Sequence, residues 1–225
     1  SKATVTGLLI WLVFTKVNLV ELKQHFSAIK GITVVYVLAL LCAQSLLAGI
    51  RWRIVMALFD RVFALALTVR IYFEGLFFNQ ALPSTVGGDG IRIYRVFKLG
   101  LPFGAAFNGV LLDRVAGFIS LIILVAVAQP ILFRKIQEPQ ALIAFLFITA
   151  FGLFAIIMLL MMGSLPSKLS RWRAIRGLVK LSFGARQLLK TPSCSIPVLG
   201  YSLIGHLLMV SAAYLIAMDI GINVS

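Results

Sequence analysis

The chain has 225 residues, of which 61% are hydrophobic and only 12% carry a charge. Soluble domains contain about 45–50% apolar and about 25% charged residues, so this composition excludes an ordinary soluble protein. A formal charge of +14 would suggest nucleic acid in a soluble chain. Beside apolar spans, basic residues instead meet anionic lipid, so no nucleic-acid partner is predicted.

Long apolar stretches predict an all-α polytopic membrane protein, a helical bundle, because several approach or exceed the roughly 20 residues that cross a bilayer as a helix. In chain order, we predict spans at 3–16, 32–50, 103–133, 141–163 and 195–218. The span at 32–50 is expected to end at the basic triplet "RWR", residues 51–53.

Two amphipathic segments lie between the spans. Residues 18–30 are predicted to be a connector, and residues 164–192 contain seven Lys/Arg. The second segment has an apolar stripe at helical spacing, which is typical of a helix in the headgroup layer. We therefore predict a basic helix along the cytoplasmic surface, with the stripe Trp172, Ile175, Val179 and Phe183.

A polar stretch, "NQALPSTVGGDGIR" at residues 79–92, interrupts apolar sequence. If residues 62–82 crossed the membrane completely, six Lys/Arg would lie inside and thirteen outside, against the tendency of basic residues to stay in the cytoplasm. If residues 62–100 enter and return on one side, the count becomes fourteen inside and five outside. We therefore predict a re-entrant or broken-helix hairpin around residues 62–100, whose bend is made by Pro83, Gly87, Gly88 and Gly90.

Charged residues within the apolar sequence are the main candidates for function. A charge at the bilayer centre is unfavourable by about 2.5–3.5 kcal/mol, so such residues are usually paired or line a cavity. Asp113 belongs to a stripe of small residues at a spacing of four, which predicts that it points into the bundle. The stripe is Ala105, Gly109, Asp113 and Gly117.

Two interpretations of Asp89 and Arg114 stay open. They form an internal salt bridge that holds the hairpin, or Arg114, with Arg92 or Arg95, binds an anionic lipid headgroup in a polar cavity. The two interpretations are compatible, because a cavity needs a fixed wall and the salt bridge can form part of it. The predicted substrate-binding set is Glu74, Asp89, Arg92, Asp113 and Arg114.

Several polar residues are expected to have structural roles. Glu74 lies four residues from Arg70 and is expected to pair with it. Asn79 is predicted to form hydrogen bonds within the hairpin, and His206 to have a backbone partner. No nucleophile–base pair or metal-ligand spacing is visible, and Cys42 and Cys194 define no disulfide framework. We predict no catalytic residues, no metal and no cofactor.

The stretches "LPSTVGGDGIRIYRV" and "AAFNGVLLDRVAGF" together resemble the transmembrane, flippase-like domain of lysylphosphatidylglycerol synthases and their stand-alone relatives. The matching residues are Leu82, Pro83, Gly87, Gly88, Asp89 and Arg92, then Asp113, Arg114 and Gly117, and "RWR" also fits. The resemblance implies an integral inner-membrane protein that acts on lipids. Two of the family's features are missing: the soluble aminoacyl-transferring domain, so synthase activity is not expected, and a later Pro…Gly-rich…Glu motif.

These observations favour one transmembrane domain, residues 1–225, a fragment that lacks its C-terminal helices. The predicted function is a multi-pass protein of the inner or plasma membrane that translocates anionic or polyprenyl-type lipids through a polar intramembrane cavity. Its expected partners are membrane lipids, through anionic phospholipid headgroups. The alternative is a membrane-embedded enzyme or subunit of phospholipid or glycolipid biosynthesis. A homo-oligomer and a lipid-synthesis partner protein both stay open, and transport is favoured over catalysis.

Overall fold

A computed structural model describes residues 28–59, 61–81, 86–136, 138–164 and 173–222. These residues form helices and their connections, without any strand, which confirms the all-α class. The helices are α1 (Gly31–Ala57), α2 (Leu65–Ala81), α3 (Val86–Lys98), α4 (Phe103–Lys135), α5 (Pro139–Met161), α6 (Arg173–Lys190) and α7 (Pro192–Asp219), and a short 3-10 helix (Met162–Ser164) follows α5.

Four of these helices are long and apolar enough to cross a membrane: α1, α4, α5 with its 3-10 extension, and α7. They match four of the predicted spans, whereas the prediction at 3–16 and most of the connector at 18–30 lie outside the described residues. The predicted end of the second span was wrong. Helix α1 continues through "RWR" to Ala57 because Trp52, Val55 and Met56 are fully buried and belong to the core.

The chain divides into two compact units, residues 1–43 with 208–225, and residues 44–207. In the first unit, the backbone N–H of Lys30 donates a 2.9 Å hydrogen bond to Oδ2 of Asp219. Because the Asp219 carboxylate lies beside the first turn of α1, its negative charge stabilises the positive end of that helix. The second unit contains the hairpin and all the intramembrane charges discussed below.

Two apolar clusters form the core of the second unit. One joins α1, α2, α3 and the start of α4 through Trp52, Met56, Phe63, Ile71, Val96, Leu101, Ala106 and Val110. The other joins α1, α4, α6 and α7 through Val55, Leu112, Ala116, Leu181, Ala185, Leu188 and Val198. Helices α1 and α4 take part in both clusters and form a common frame for the hairpin and for α6.

Helix α6 shows that residues 173–190 of the basic segment are helical, but it buries a different face from the predicted stripe. Leu181, Ala185 and Leu188 pack in the second cluster, whereas Phe183 is 57% exposed. Trp172 and the side chain of Ile175 lie outside the described residues. Since α6 docks on the protein through its leucine face, Phe183 remains free to contact lipid.

Helices α2 and α3 form the predicted hairpin. They have 17 and 13 residues, and at 1.5 Å per residue they reach about 26 Å and about 20 Å, less than the roughly 30 Å hydrocarbon core. Gly87, Gly88 and Gly90 do not make the bend, because they lie in the first turns of α3. Pro83 and the bend itself lie outside the described residues.

The two ends of the hairpin lie in contact with each other. Helix α3 ends in a Schellman motif: Gly100 has a φ of +92°, and the N–H of Leu101 donates to the carbonyl of Val96. Before α2, the Nη1 of Arg61 donates a 3.3 Å hydrogen bond to the carbonyl of Leu99. Because entry and exit meet, the hairpin has the geometry that a re-entrant placement requires.

Cysteines substituted for Arg61 and Lys98 should therefore react with an impermeant reagent from the same side of the membrane. The background has Cys42 and Cys194 replaced by alanine, and a cysteine at Lys135, beyond the apolar length of α4, should react from the opposite side. Labelling of positions 61 and 98 from opposite sides would overturn the re-entrant placement.

Glycine permits the close approach of α2 and α3. A Cβ on Gly88 would overlap the carbonyl oxygen of Gly75 and the side chain of Asn79, and the first of these belongs to the backbone of α2. The N–H of Gly88 donates a 2.8 Å hydrogen bond to Oδ1 of Asn79, which confirms the role predicted for Asn79. The hairpin is therefore joined by backbone contact at Gly88.

Gly88→Ala should destabilise the protein by about 1–3 kcal/mol, the usual cost of overpacking a tight contact. Gly90→Ala is the matched control, because it lies in the same helix and nothing approaches its Cβ within 4 Å. It should be neutral or stabilising by up to about 1 kcal/mol, since alanine favours helix over glycine. Thermal unfolding in detergent measures both, and equal effects of the two substitutions would contradict the close contact.

Candidate functional site

Asp113 is at the centre of the site and is 1% exposed. Its Oδ1 accepts a 2.8 Å hydrogen bond from Nε of Arg51, and its Oδ2 accepts one of 2.8 Å from Nη2 of Arg92. Each carboxylate oxygen thus has its own guanidinium, one from α1 and one from α3. The prediction that Asp113 points into the bundle is confirmed.

Small residues on α4 allow α1 to bring Arg51 to Asp113. A Cβ on Gly109 would contact the side chain of Met56, and a Cβ on Gly117 would lie 3.3 Å from Nη1 of Arg51. The same Nη1 donates a 2.9 Å hydrogen bond to Oγ of Ser202 on α7. The predicted small-residue stripe is therefore the surface against which α1 packs, and Arg51 connects α1, α4 and α7.

Arg92 is held between two aromatic rings. Its guanidinium carbon lies 4.3 Å from the ring centroid of Trp52 and 4.7 Å from that of Tyr72, distances at which a cation–π attraction operates. Gly75 leaves room for its stem, because a Cβ there would lie 3.0 Å from Cγ of Arg92. Within the described part of the chain, the buried Nε of Arg92 has no hydrogen-bond partner.

Asp89 continues the charge network toward the open side. Its Oδ1 lies 3.4 Å from Nη1 of Arg92, and its Oδ2 accepts a 2.9 Å hydrogen bond from Nε of Arg114. The predicted pair of Asp89 and Arg114 is confirmed. Five side chains alternate in charge, from the buried end to the open end: Arg51, Asp113, Arg92, Asp89 and Arg114.

The open end of this charge chain is cationic. The side chain of Arg114 is 51% exposed, whereas those of Arg92 and Asp113 are 6% and 2% exposed. With three arginines and two aspartates, the charge chain carries one net positive charge. Among the described residues, Arg114 makes one hydrogen bond, from Nε, so its terminal nitrogens remain available to an anion.

These residues surround a polar cavity of about 150 Å³. The charge chain forms much of its wall, and α2 supplies the rest. Its lining residues are Arg51, Tyr72, Gly75, Leu76, Asn79, Asp89, Arg92, Asp113 and Arg114. Helices α1 to α4 all contribute, so the cavity depends on the packing of the hairpin against α1 and α4.

Glu74 does not lie in this cavity. It accepts a 3.2 Å hydrogen bond from Nε of Arg70 and one of 2.7 Å from Nε of Arg95. The predicted Arg70–Glu74 pair is confirmed, but Glu74 lines a separate groove of about 190 Å³ with Arg70, Arg95 and Lys98. The grouping of Glu74 with Asp89 and Asp113 was wrong, because Glu74 occupies another face of α2 from the cavity-lining Tyr72 and Gly75.

Three residues of the site were not predicted from the sequence: Arg51, Trp52 and Tyr72. The sequence predicts Arg51 and Trp52 at the polar end of a span, although "RWR" is one of the stretches that fit the family. Tyr72 had no distinguishing pattern in the sequence. His206 was interpreted correctly: its Nε2 lies 3.1 Å from the carbonyl of Gly117.

The fold and the site together define a helical membrane protein with a hairpin that holds a buried ionic network. The chain matches the family described as "Lysylphosphatidylglycerol synthase TM region" over residues 2–225, and it belongs to that family. The family is related to membrane lipids. Searches of curated proteins and of solved structures each found no match.

Proposed function

We propose that this protein translocates anionic or polyprenyl-type lipids across the inner or plasma membrane, and that the lipid headgroup enters the polar cavity. The observation that carries this proposal is Arg114, the half-exposed cationic end of a buried charge chain. A guanidinium can donate two parallel hydrogen bonds to a phosphate, which makes it suited to a phospholipid headgroup.

The other members of the charge chain support this role by fixing the cavity. Asp113 and Arg92 are nearly completely buried and are joined by a 2.8 Å hydrogen bond, so they provide a rigid wall. Asp89 is more exposed and binds Arg114 by a single hydrogen bond. A phosphate bound at the free terminal nitrogens of Arg114 lies beside the Asp89 carboxylate, so the two anions compete for one guanidinium, and release of the phosphate restores the ion pair.

The alternative proposal is a membrane-embedded enzyme, or a subunit of one, that acts in phospholipid or glycolipid synthesis. It is favoured by the same observation, a carboxylate beside a lipid-accessible cation, since such a pair also binds a phosphorylated substrate. In either case, a homo-oligomer and a lipid-synthesis partner protein are compatible with the site.

Reconstitution of the full chain in vesicles separates the two proposals. Fluorescent anionic lipids are placed in one leaflet, and their movement is followed by chemical quenching from outside. Faster movement than in protein-free vesicles supports translocation, and a new lipid product found by mass spectrometry supports the enzyme. Vesicles that contain Arg114→Gln protein are the control, and an equal rate in that variant would contradict the assigned role of the cavity.

A further inference from the structure

Arg114 lines a second space besides the polar cavity. This second space is a groove of about 270 Å³ between α4 and α5, lined by Arg114, Val115, Phe118, Ala155, Ile156 and Leu159. Every lining residue except Arg114 is apolar. Arg114 therefore lies where a cation-lined polar cavity meets an apolar groove on the side of the bundle, and we call this space the α4/α5 groove.

The groove lies next to a place where the two helices meet closely. A Cβ on Gly152 would overlap the side chain of Ile122, and the amide of Gln129 donates a 2.9 Å hydrogen bond to Oγ1 of Thr149. Nearer to Arg114, the small side chain of Ala155 faces the groove. The groove thus lies between the contact at Gly152 and the polar cavity.

We infer that the α4/α5 groove holds a hydrocarbon chain of the same net-anionic lipid whose headgroup binds Arg114; this inference rests on the proposed function. An amphiphile with its phosphate at Arg114 has to keep its chains in an apolar environment. The α4/α5 groove begins at that same side chain, is apolar throughout, and lies on helices that are long enough to cross the membrane. No other part of the lipid has to enter the protein.

The physics of a bilayer makes this inference specific. Lipid tails are as apolar as a leucine-lined surface, so a chain gains no hydrophobic free energy when it moves from lipid into the groove. An apolar groove alone would hold lipids without preference, as any exposed face does. Preference for one lipid has to come from its headgroup at Arg114, and the occupancy of the groove should therefore depend on headgroup charge.

Photo-crosslinking tests this inference. The full chain is reconstituted in phosphatidylcholine vesicles with a small amount of a phosphatidylglycerol analogue that carries a diazirine on one acyl chain. An analogue with the neutral phosphatidylcholine headgroup is the matched probe. Ile156 and Ile157 are a matched pair of sites, because they have the same chemistry and nearly the same depth. Ile156 lines the groove, whereas Ile157 is 54% exposed on another face.

We expect the anionic probe to label Ile156 at least about threefold more than Ile157, a ratio that corresponds to a modest difference in binding. The neutral probe should label Ile156 no more than the more exposed Ile157, and Arg114→Gln should reduce the anionic ratio to that of the neutral probe. Ala155→Trp, which fills the groove, should abolish the excess. Ala150→Trp, at an exposed position on the same helix that does not line the groove, should leave the excess unchanged.

Equal labelling of Ile156 and Ile157 by the anionic probe would overturn the inference, as would an excess that survives Arg114→Gln. Crosslinking reports where a lipid lies and needs no movement across the membrane. An excess of labelling at Ile156 without any transport would therefore contradict the proposed function, but it would support the inference that the groove holds a lipid chain. Transport without an excess of labelling at Ile156 would contradict only the inference that the groove holds a lipid chain.

Discussion

Asp113→Asn should be the most destabilising single substitution in the site. It leaves Arg51 and Arg92 buried together without the carboxylate that each of them binds. Breaking a buried ion pair by removing one partner typically costs about 3–5 kcal/mol, because a charge remains buried without compensation. We expect a large drop in the temperature of unfolding in detergent, measured by tryptophan fluorescence or by the loss of the monodisperse peak on size exclusion.

Two further variants show whether the effect comes from uncompensated charge. Glu138→Gln removes an exposed carboxylate before α5 and should change the stability by less than about 1 kcal/mol. Asp113→Asn combined with Arg51→Gln removes one buried charge of each sign and should recover much of the lost stability. An Asp113→Asn protein as stable as Glu138→Gln would show that the central ion pairs do not hold the bundle together.

Much of this fold follows from hydrophobicity and length, which a sequence states directly. The spans that became α1, α4, α5 and α7 were predicted within several residues, because apolar runs of this length have few alternatives in a bilayer. The hairpin followed from the distribution of basic residues and from the glycines around Asp89. The ion pair between Asp89 and Arg114 was one of two interpretations that the sequence left open, and it rests on the cost of leaving either charge alone in an apolar setting.

The predictions that were wrong concern residues whose role depends on tertiary packing. Arg51 was taken as a residue at the end of a span, since nothing local distinguishes a basic residue that faces water from one that binds a carboxylate on another helix. Gly88 was assigned to a bend because glycine suits turns, although here its missing side chain permits two helices to touch. Glu74 was grouped with the other carboxylates, because the sequence does not show which face of α2 lines the cavity.

Arg114→Lys should reduce lipid transport strongly while it leaves the fold nearly intact. The positive charge is kept, but the fork that donates two parallel hydrogen bonds to a phosphate is lost. A charge-assisted hydrogen bond contributes about 1.5–3 kcal/mol, so losing one should lower transport about tenfold or more. Because the side chain of Arg114 is half exposed, its ion pair with Asp89 contributes little to stability, and unfolding should change by less than about 1 kcal/mol.

Arg95→Lys is the matched control for this substitution. The side chain of Arg95 is 49% exposed and donates from Nε to a single carboxylate, that of Glu74, much as Arg114 donates to Asp89. It does not line the polar cavity, so the same change of chemistry there should leave transport near the wild-type rate. An equal loss of transport in the two variants would show that the effect is not specific to Arg114, and it would contradict the role assigned to that residue.

Asp89→Asn then tests how the cavity would release a lipid under the proposed function. If Asp89 competes with phosphate for Arg114, removing its charge should strengthen the binding of an anionic headgroup and slow its release. Binding of a short-chain phosphatidylglycerol in detergent, measured by calorimetry, should become tighter in Asp89→Asn, while transport in vesicles falls. A structural salt bridge alone predicts the opposite pattern: the hairpin loosens, and binding weakens together with stability. The sign of the change in affinity therefore decides whether the carboxylate beside Arg114 is a displaceable partner or a fixed support.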